Sequence, residues 1–374
     1  MVIPFIVLFL RGGKMWSIFK TRRSLSAILF VIIFAVGSFF GNQAMAQTSH
    51  EEMTRIVSHF KLMNYYPAAI SREDLFITPY WDQPEPNTNL TLPQTLQRDF
   101  KKIAAMGANS VRIGIQIKGF GWPTPKPEAS KHLEQLIDIA QQNHLKVKLS
   151  LFNFNGIKPG KTGHYGADNY PSCIAWVNSL FEGHKNDPRI LYVDLMNEMR
   201  VTNPEEITWA RAMLPALRDA VGSIPLAISV STAHGIPSWQ GVQILHEGLG
   251  EEVKYLDIFE YHAYDDPKIV GEDLANAKKA AAPWPLFIGE TGWNTRDPDH
   301  PKWTEEFQDK YIRTVERLVL KAGLPPAAPW IYSDAYPGTF GAREKDYSFG
   351  LVRLDGSEKP SARTVREIFT HYKP

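Results

Sequence analysis

The strongest constraint on this chain is an alternation. Short runs rich in Val, Ile, Leu, Phe and Tyr recur at residues 60–66, 110–117, 145–152, 190–196, 226–231, 256–260, 286–288 and 330–332. Several are apolar on both faces, which suits parallel strands covered on both sides. The stretches between them are amphipathic. Leu96, Phe100 and Ile103 share a helical face, as do Leu133, Leu136, Ile137 and Ala140, and Tyr311, Val315, Leu318 and Val319. Gly107 follows the first such stretch, Asn203-Pro204 suits an N-cap and first helical position, and Pro171 and Pro237 open others. Strand then helix, eight times over at intervals of roughly 30 to 45 residues, predicts an α/β fold, the (β/α)8 TIM barrel. An open doubly wound sheet would carry a glycine-rich phosphate loop after its first strand, and none stands there.

No linker or composition break divides residues 47–374, so they are expected to form a single-domain barrel. Residues 1–46 read differently. Lys20, Arg22 and Arg23 precede an apolar run at 27–40, and Ala44-Met45-Ala46 follows. This is the layout of a secretory signal peptide cut after Ala46, and the run is short for a membrane span. Met15 is a possible true start. The expected location is secreted or periplasmic, away from the membrane once the leader is cleaved. Lys plus Arg total 41 against 40 for Asp plus Glu, which gives no electrostatic case for a nucleic-acid partner. The single cysteine, Cys173, precludes an intrachain disulfide. There is no HExxH, CxxC pair, GxSxG elbow or P-loop, so no metal and no cofactor are expected. Nothing in the pattern sets an oligomeric state.

Catalytic groups of such a barrel come from the C-terminal ends of several strands. The candidates are Asn64 and Tyr65 on the first strand, Arg112 on the second and Asn153 on the third. Asn197 and Glu198 end the fourth, His262 and Tyr264 the sixth, Glu290 the seventh and Trp330 the eighth. Each alone has an ordinary reading: a structural ion pair for Arg112, a hydrogen-bonded core residue for His262, a helix cap for Glu198, core for Trp330. Their convergence on one mouth is what points to chemistry. His234, after the fifth strand, reads as structural or as a subsite contact. Two long connections, 67–93 with Tyr80-Trp81 and 155–170 with Tyr165, are candidate substrate walls.

Glu198 closes the run ILYVDLMNE and Glu290 the run PLFIGE, on strands that face each other across the barrel. Two carboxylates across a pocket are what glycosidic bond cleavage needs: one protonated to help the leaving oxygen, one ionised to attack or to activate water. Asn197 can bond a hydroxyl beside the reacting carbon. Arg112 and Tyr264 can hold Glu290 ionised and aimed. His262 can tune the acid or bind sugar, and Trp330 offers a face to a pyranose ring.

With those residues in place the chain resembles the retaining glycoside hydrolases of the large clan whose catalytic glutamates end strands four and seven. Within that clan it is most similar to glycoside hydrolase family 5, the cellulase and mannanase family. The residues that carry the likeness are Arg112 in VRIGI, Asn197-Glu198 in DLMNE, His262 and Tyr264 in YHAY, Glu290 in IGETGW and Trp330 in PWIY. The GETGW string is similar as well to family 17 β-glucanases. The likeness implies Glu198 as acid/base, Glu290 as nucleophile and Asn197 on the 2-hydroxyl. It implies a β-linked glucan or mannan, an oligo- or polysaccharide, cleaved through a covalent glycosyl-enzyme. Met199 replaces the proline common after the family's Asn-Glu, and Asn153 and Asn155 stand where many members have a histidine, which leaves the sugar open. A non-catalytic carbohydrate-binding barrel and a transglycosylase are the alternatives.

Overall fold

A computed structural model describes residues 48–152, 166–231, 235–339 and 344–374. Among them, seven parallel strands succeed one another in sequence order around a nearly closed barrel. They are β1 Leu62–Asn64, β2 Ser110–Gly114, β3 Lys146–Ser150, β4 Ile190–Asp194, β5 Leu226–Ser231, β6 Ile258–Ala263 and β7 Leu286–Thr291. Helices lie between them: α1 His50–Val57, α2 Leu92–Ala105, α3 Ile117–Phe120, α4 Pro127–Gln142 and α5 Tyr170–Leu180 come first. After these come α6 Pro204–Val221, α7 Ser238–Leu249, α8 Pro267–Ala281, α9 Glu305–Lys321 and α10 Pro360–His371. The architecture is the expected TIM barrel.

The helices start where the local chemistry favours them. Thr91 and Gln94 form a reciprocal capping box at the head of α2, and the Asn203 side chain accepts the Glu205 N–H ahead of Pro204 in α6. The expected stripes face inward: Leu96, Phe100 and Ile103 of α2, and Leu133, Leu136, Ile137 and Ala140 of α4, are buried against the barrel wall. In α9 Tyr311, Val315 and Val319 are buried, and Leu318 packs at the edge. Each such large side chain stabilises the fold by about 1.5–3 kcal/mol relative to exposure. At the N-terminal end of the strands, Met53 and Val57 of α1 pack on Phe60, Leu62, Tyr192, Ile258 and Phe287. The barrel floor is therefore apolar and closed.

Two expectations need correction. The eighth run, 330–332, is not a regular strand. Its approach contains Pro325, Pro326 and Pro329, which have no N–H to give to a ladder. Single bonds close the barrel instead: Trp330 donates its N–H to the Thr291 carbonyl, Tyr332 to that of Asn64, and Asn64 to that of Pro329. Second, Trp81 is no substrate wall. It is buried, stacks on His132 of α4 at 4.3 Å and gives its indole N–H to the Leu75 carbonyl. Most of the other long connection, with Tyr165, lies outside the described residues.

Strand register lines up the polar side chains of the barrel. Asn64 pairs with Arg112 and Arg112 with Lys148, so three polar residues form a row across β1, β2 and β3. Ser231 pairs with His262, and after a register shift His262 pairs with Glu290.

Candidate active site

At the mouth of the barrel Arg112 is the hub. It is almost fully buried on β2, and every arm of its guanidinium is used. Nε donates to Ser150 Oγ at 2.8 Å and Nη1 to Asn64 Oδ1 at 3.1 Å. Nη1 also bonds Glu290 Oε1, and Nη2 bonds Asn197 Oδ1. Burial opposes the charge, but Glu290 foremost among the neighbouring acids holds this guanidinium even more firmly protonated than usual. Trp330, half-buried, presents its ring to the same cation at 5.6 Å.

Glu290, near the end of β7, has a donor for each oxygen, with the Tyr264 hydroxyl reaching Oε2 at 2.7 Å. Glu198 sits in a different setting. It lies four residues beyond the end of β4, in a left-handed turn with φ 51°. A non-glycine residue pays for that conformation, so something must hold it. The Ser229 hydroxyl does: Oγ accepts the Glu198 N–H at 2.9 Å and lies 3.0 Å from the Met196 carbonyl. His262 stands between the two glutamates, with Nδ1 3.0 Å from Glu198 Oε1 and 3.5 Å from Glu290 Oε1. Burial alone would strip its proton, but Glu290, with Glu198 and Glu260, pushes its ionisation up to about 9.

A second polar layer lies below. Lys148 is completely buried, bonded to Glu260 and 3.7 Å from Asp194. Tyr192 donates to the other Glu260 oxygen at 3.0 Å, and Asp194 accepts from Ser150 at 2.9 Å and Ser229 at 3.2 Å. Burial works against the Glu260 charge, yet Lys148 and His262 hold that carboxyl below the usual range. Burial pulls the Lys148 ammonium down as well, against the attraction of Glu260.

The structure thus brings together Asn64, Arg112, Asn197, Glu198, His262, Tyr264, Glu290 and Trp330. It does not bring Tyr65. Side chains alternate along an extended chain, and with Asn64 turned inward Tyr65 points outward, buried, with its hydroxyl on Asp99 of α2 at 2.9 Å. Its neighbour Tyr66 is the one that packs on Trp330, ring centroids 6.2 Å apart. Asn153 and His234 lie outside the described residues. The sequence reading missed Lys148, Ser150, Asp194, Ser229 and Glu260. A signal existed: Lys148 and Ser150, and Glu260 and His262, stand two apart on one strand face, and a charge in an otherwise apolar run needs a partner.

One ligand atom each from Glu198, His262 and Glu290 lie within 4.8 Å of one another, spacing that could hold a metal ion. The Arg112 guanidinium already bonded to Glu290 would repel one, so the set suits a proton better than a metal. Chemically, it offers one carboxylate gripped by two donors and a second, more open carboxyl beside an imidazole.

A family model for cellulase, glycosyl hydrolase family 5, matches residues 81–316. No curated protein matches the chain. Among solved structures, the exo-β-1,4-mannosidase Op5Man5 from Opitutaceae bacterium strain TAV5 superposes with a TM-score of 0.63 at 17% identity, over 83% of this chain and 58% of that one. A GH5_18 protein from Streptomyces cattleya, in complex with GlcNAc, gives 0.61 at 16%, over 82% and 81%. A GH5_18 variant from Bifidobacterium longum subsp. longum ATCC 55813, in complex with Manβ1-4GlcNAc, gives 0.62 at 15%, over 84% and 78%. The chain spans little more than half the length of the mannosidase and of a β-galacturonidase from Eisenbergiella tayi, 58% and 51%. At these identities the superpositions establish the fold.

Proposed function

We propose that this chain, which belongs to glycosyl hydrolase family 5 and is a glycoside hydrolase, cleaves a β-linked glucan or mannan with retention of configuration. The observation that carries the reading is the spacing and unlike setting of two glutamates. An oxygen of Glu198 and one of Glu290 lie within 4.8 Å, closer to the roughly 5 to 5.5 Å between the carboxyl groups of retaining enzymes than to the wider gap an inverting enzyme needs for its water.

In this reading Glu290 is the nucleophile. Arg112 and Tyr264 each bond one of its oxygens and fix its direction, so attack on the anomeric carbon needs little reorganisation. Glu198 protonates the departing oxygen, then takes a proton from the water that releases the sugar from Glu290. Asn197, anchored by Arg112, is placed to bond the hydroxyl next to the reacting carbon. Trp330 provides the ring face. The β-mannosyl ligand and the mannosidase named among the structural neighbours make β-mannosides the first sugars to test. The leader at residues 1–46 supports export to the periplasm or medium.

The test is incubation of the mature protein with β-mannans, β-glucans and aryl β-glycosides. Product anomers are followed by NMR and Glu290 is labelled by a 2-deoxy-2-fluoro glycoside. A retained first product and a sugar on the Glu290 peptide are expected, with turnover abolished in Glu290→Ala. Near-normal turnover in that variant would remove Glu290 from the role of nucleophile.

A further inference from the structure

Both ring nitrogens of His262 face carboxylates. Nδ1 lies 3.0 Å from Glu198 Oε1, and Nε2 lies 3.2 Å from Glu260 Oε1. A neutral imidazole donates from one nitrogen only. Two arrangements satisfy this row with one shared proton. In the first an imidazolium donates to both Glu260 and an ionised Glu198. In the second Nε2–H stays on Glu260, and Nδ1 accepts from a neutral Glu198. The two differ by the position of one proton along the Nδ1···Oε1 line. Common to both is the Nε2 proton on Glu260.

We propose that Glu260 is a positioning residue for the acid/base proton: by holding Nε2–H it leaves Nδ1 of His262 as the nitrogen that shares a proton with Glu198. The inference rests on Glu198 being the acid/base. Glu260 is well placed for such a task because it cannot move. It is completely buried, bonded to Lys148 through Oε1 and to the Tyr192 hydroxyl through Oε2. Gly289 on β7 is the surface it rests on, since a Cβ there would sit 1.7 Å from Glu260 Oε1. A carboxylate so fixed sets the plane and tautomer of the ring it bonds, as the outer partners of metal-bound histidines do.

The groups that act on His262 come from every side. Glu260 is on its own strand, Glu198 follows β4 and Glu290 is on β7. Arg112 lies behind Glu290, Lys148 behind Glu260, and Asp194 beside Lys148. Removing the Glu260 charge withdraws negative potential from the row and leaves the cations in place. The Glu198–His262 pair then holds its last proton less tightly.

The test has two readouts. Histidine-selective ¹⁵N NMR of the wild-type protein, from about pH 5 to about pH 9, is expected to find Nε2 of His262 protonated throughout, with only the Nδ1 signal titrating. In Glu260→Gln, the basic limb of kcat against a 4-nitrophenyl β-glycoside is expected to move roughly one pH unit lower, with KM little changed. Because that variant leaves Lys148 buried without its partner, Lys148→Met/Glu260→Met is made in parallel. It removes one charge of each sign together with the acceptor, and its expected readout is loss of the fixed Nε2 proton of His262 in the ¹⁵N spectrum. An unprotonated Nε2 in the wild type overturns the proposal, and so does an unmoved basic limb in folded Glu260→Gln or an Nε2 still protonated throughout in the double variant. If the wild-type protein cleaves no glycoside, the reading of function fails while the NMR still decides the tautomer.

Discussion

The Tyr264 hydroxyl donates to Glu290 Oε2 at 2.7 Å, and the Arg112 guanidinium takes the other oxygen of the same carboxylate. One neutral and one charged donor therefore share a single buried anion. Burial, with the Glu290 charge beside it, raises the ionisation of Tyr264 well above the ordinary tyrosine value, so it stays a donor at working pH.

Tyr264→Phe removes that neutral donor and keeps the ring. A hydrogen bond to a charged group contributes about 1.5–3 kcal/mol. The expected loss is about 10- to 150-fold in kcat/KM, with a matching fall in the rate at which a 2-fluoro glycoside labels Glu290. Steady-state kinetics beside a thermal melt check it. Unchanged labelling would show that the hydroxyl does not act on Glu290.

Tyr65→Phe should do the reverse. Its hydroxyl serves Asp99 on α2, away from the mouth. The variant is expected to lose about 1–3 kcal/mol of stability, the cost of leaving a buried acceptor short of a partner, while kcat and KM hold. Denaturant melts and kinetics on one preparation separate the two effects.

Gly289→Ala places a methyl where the Glu260 carboxylate lies. Lys148 and Tyr192 pin that carboxylate, so relief must come from the barrel wall. Overpacking of this kind costs about 1–3 kcal/mol before any loss of the ion pair. A lower melting temperature and a disturbed His262 resonance are expected. A variant as stable as wild type would mean that the wall gives way easily.

Glu316 on α9 is buried beside Ala327, with Oε2 accepting the Ala327 N–H and Oε1 without a hydrogen bond among the described residues. Burial pushes its carboxyl up to about 8, above the ordinary glutamate value, so the folded protein holds a proton that the unfolded chain releases. Stability from this group is full below about pH 4.5 and declines as pH rises to about 8, by up to about 5 kcal/mol. Glu316→Gln should flatten that decline and be the more stable protein at pH 8. Urea melts across pH check the slope, and parallel wild-type and variant curves would contradict it.

Much of the architecture was legible in the chain itself. The alternation of strand and helix is written in hydrophobic period, a local property, so the barrel and its helical stripes could be read. Glu198, His262 and Glu290 could be found because each is polar near the end of an apolar run, and Arg112 because it is a charge inside one, VRIGI. The lower layer was harder. Lys148 and Glu260 are separated by 112 residues, and only the register of β3, β4, β5 and β6 brings them together. Tyr65 failed for a related reason. Which of two adjacent residues faces the barrel interior depends on strand phase, and β1 is only three residues long.

Asn64 carries a consequence that reaches past its own bonds. Its amide nitrogen donates to the carbonyls of Gly289, Pro329 and Ala328, and its amide oxygen receives Arg112. One side chain is both the stitch between the first and last turns of the barrel and the rest on which the hub cation lies. Assembly of the site is thereby conditional on completion of the ring. A chain whose ends have not met has its glutamates but lacks the rest that steadies Arg112 against Glu290.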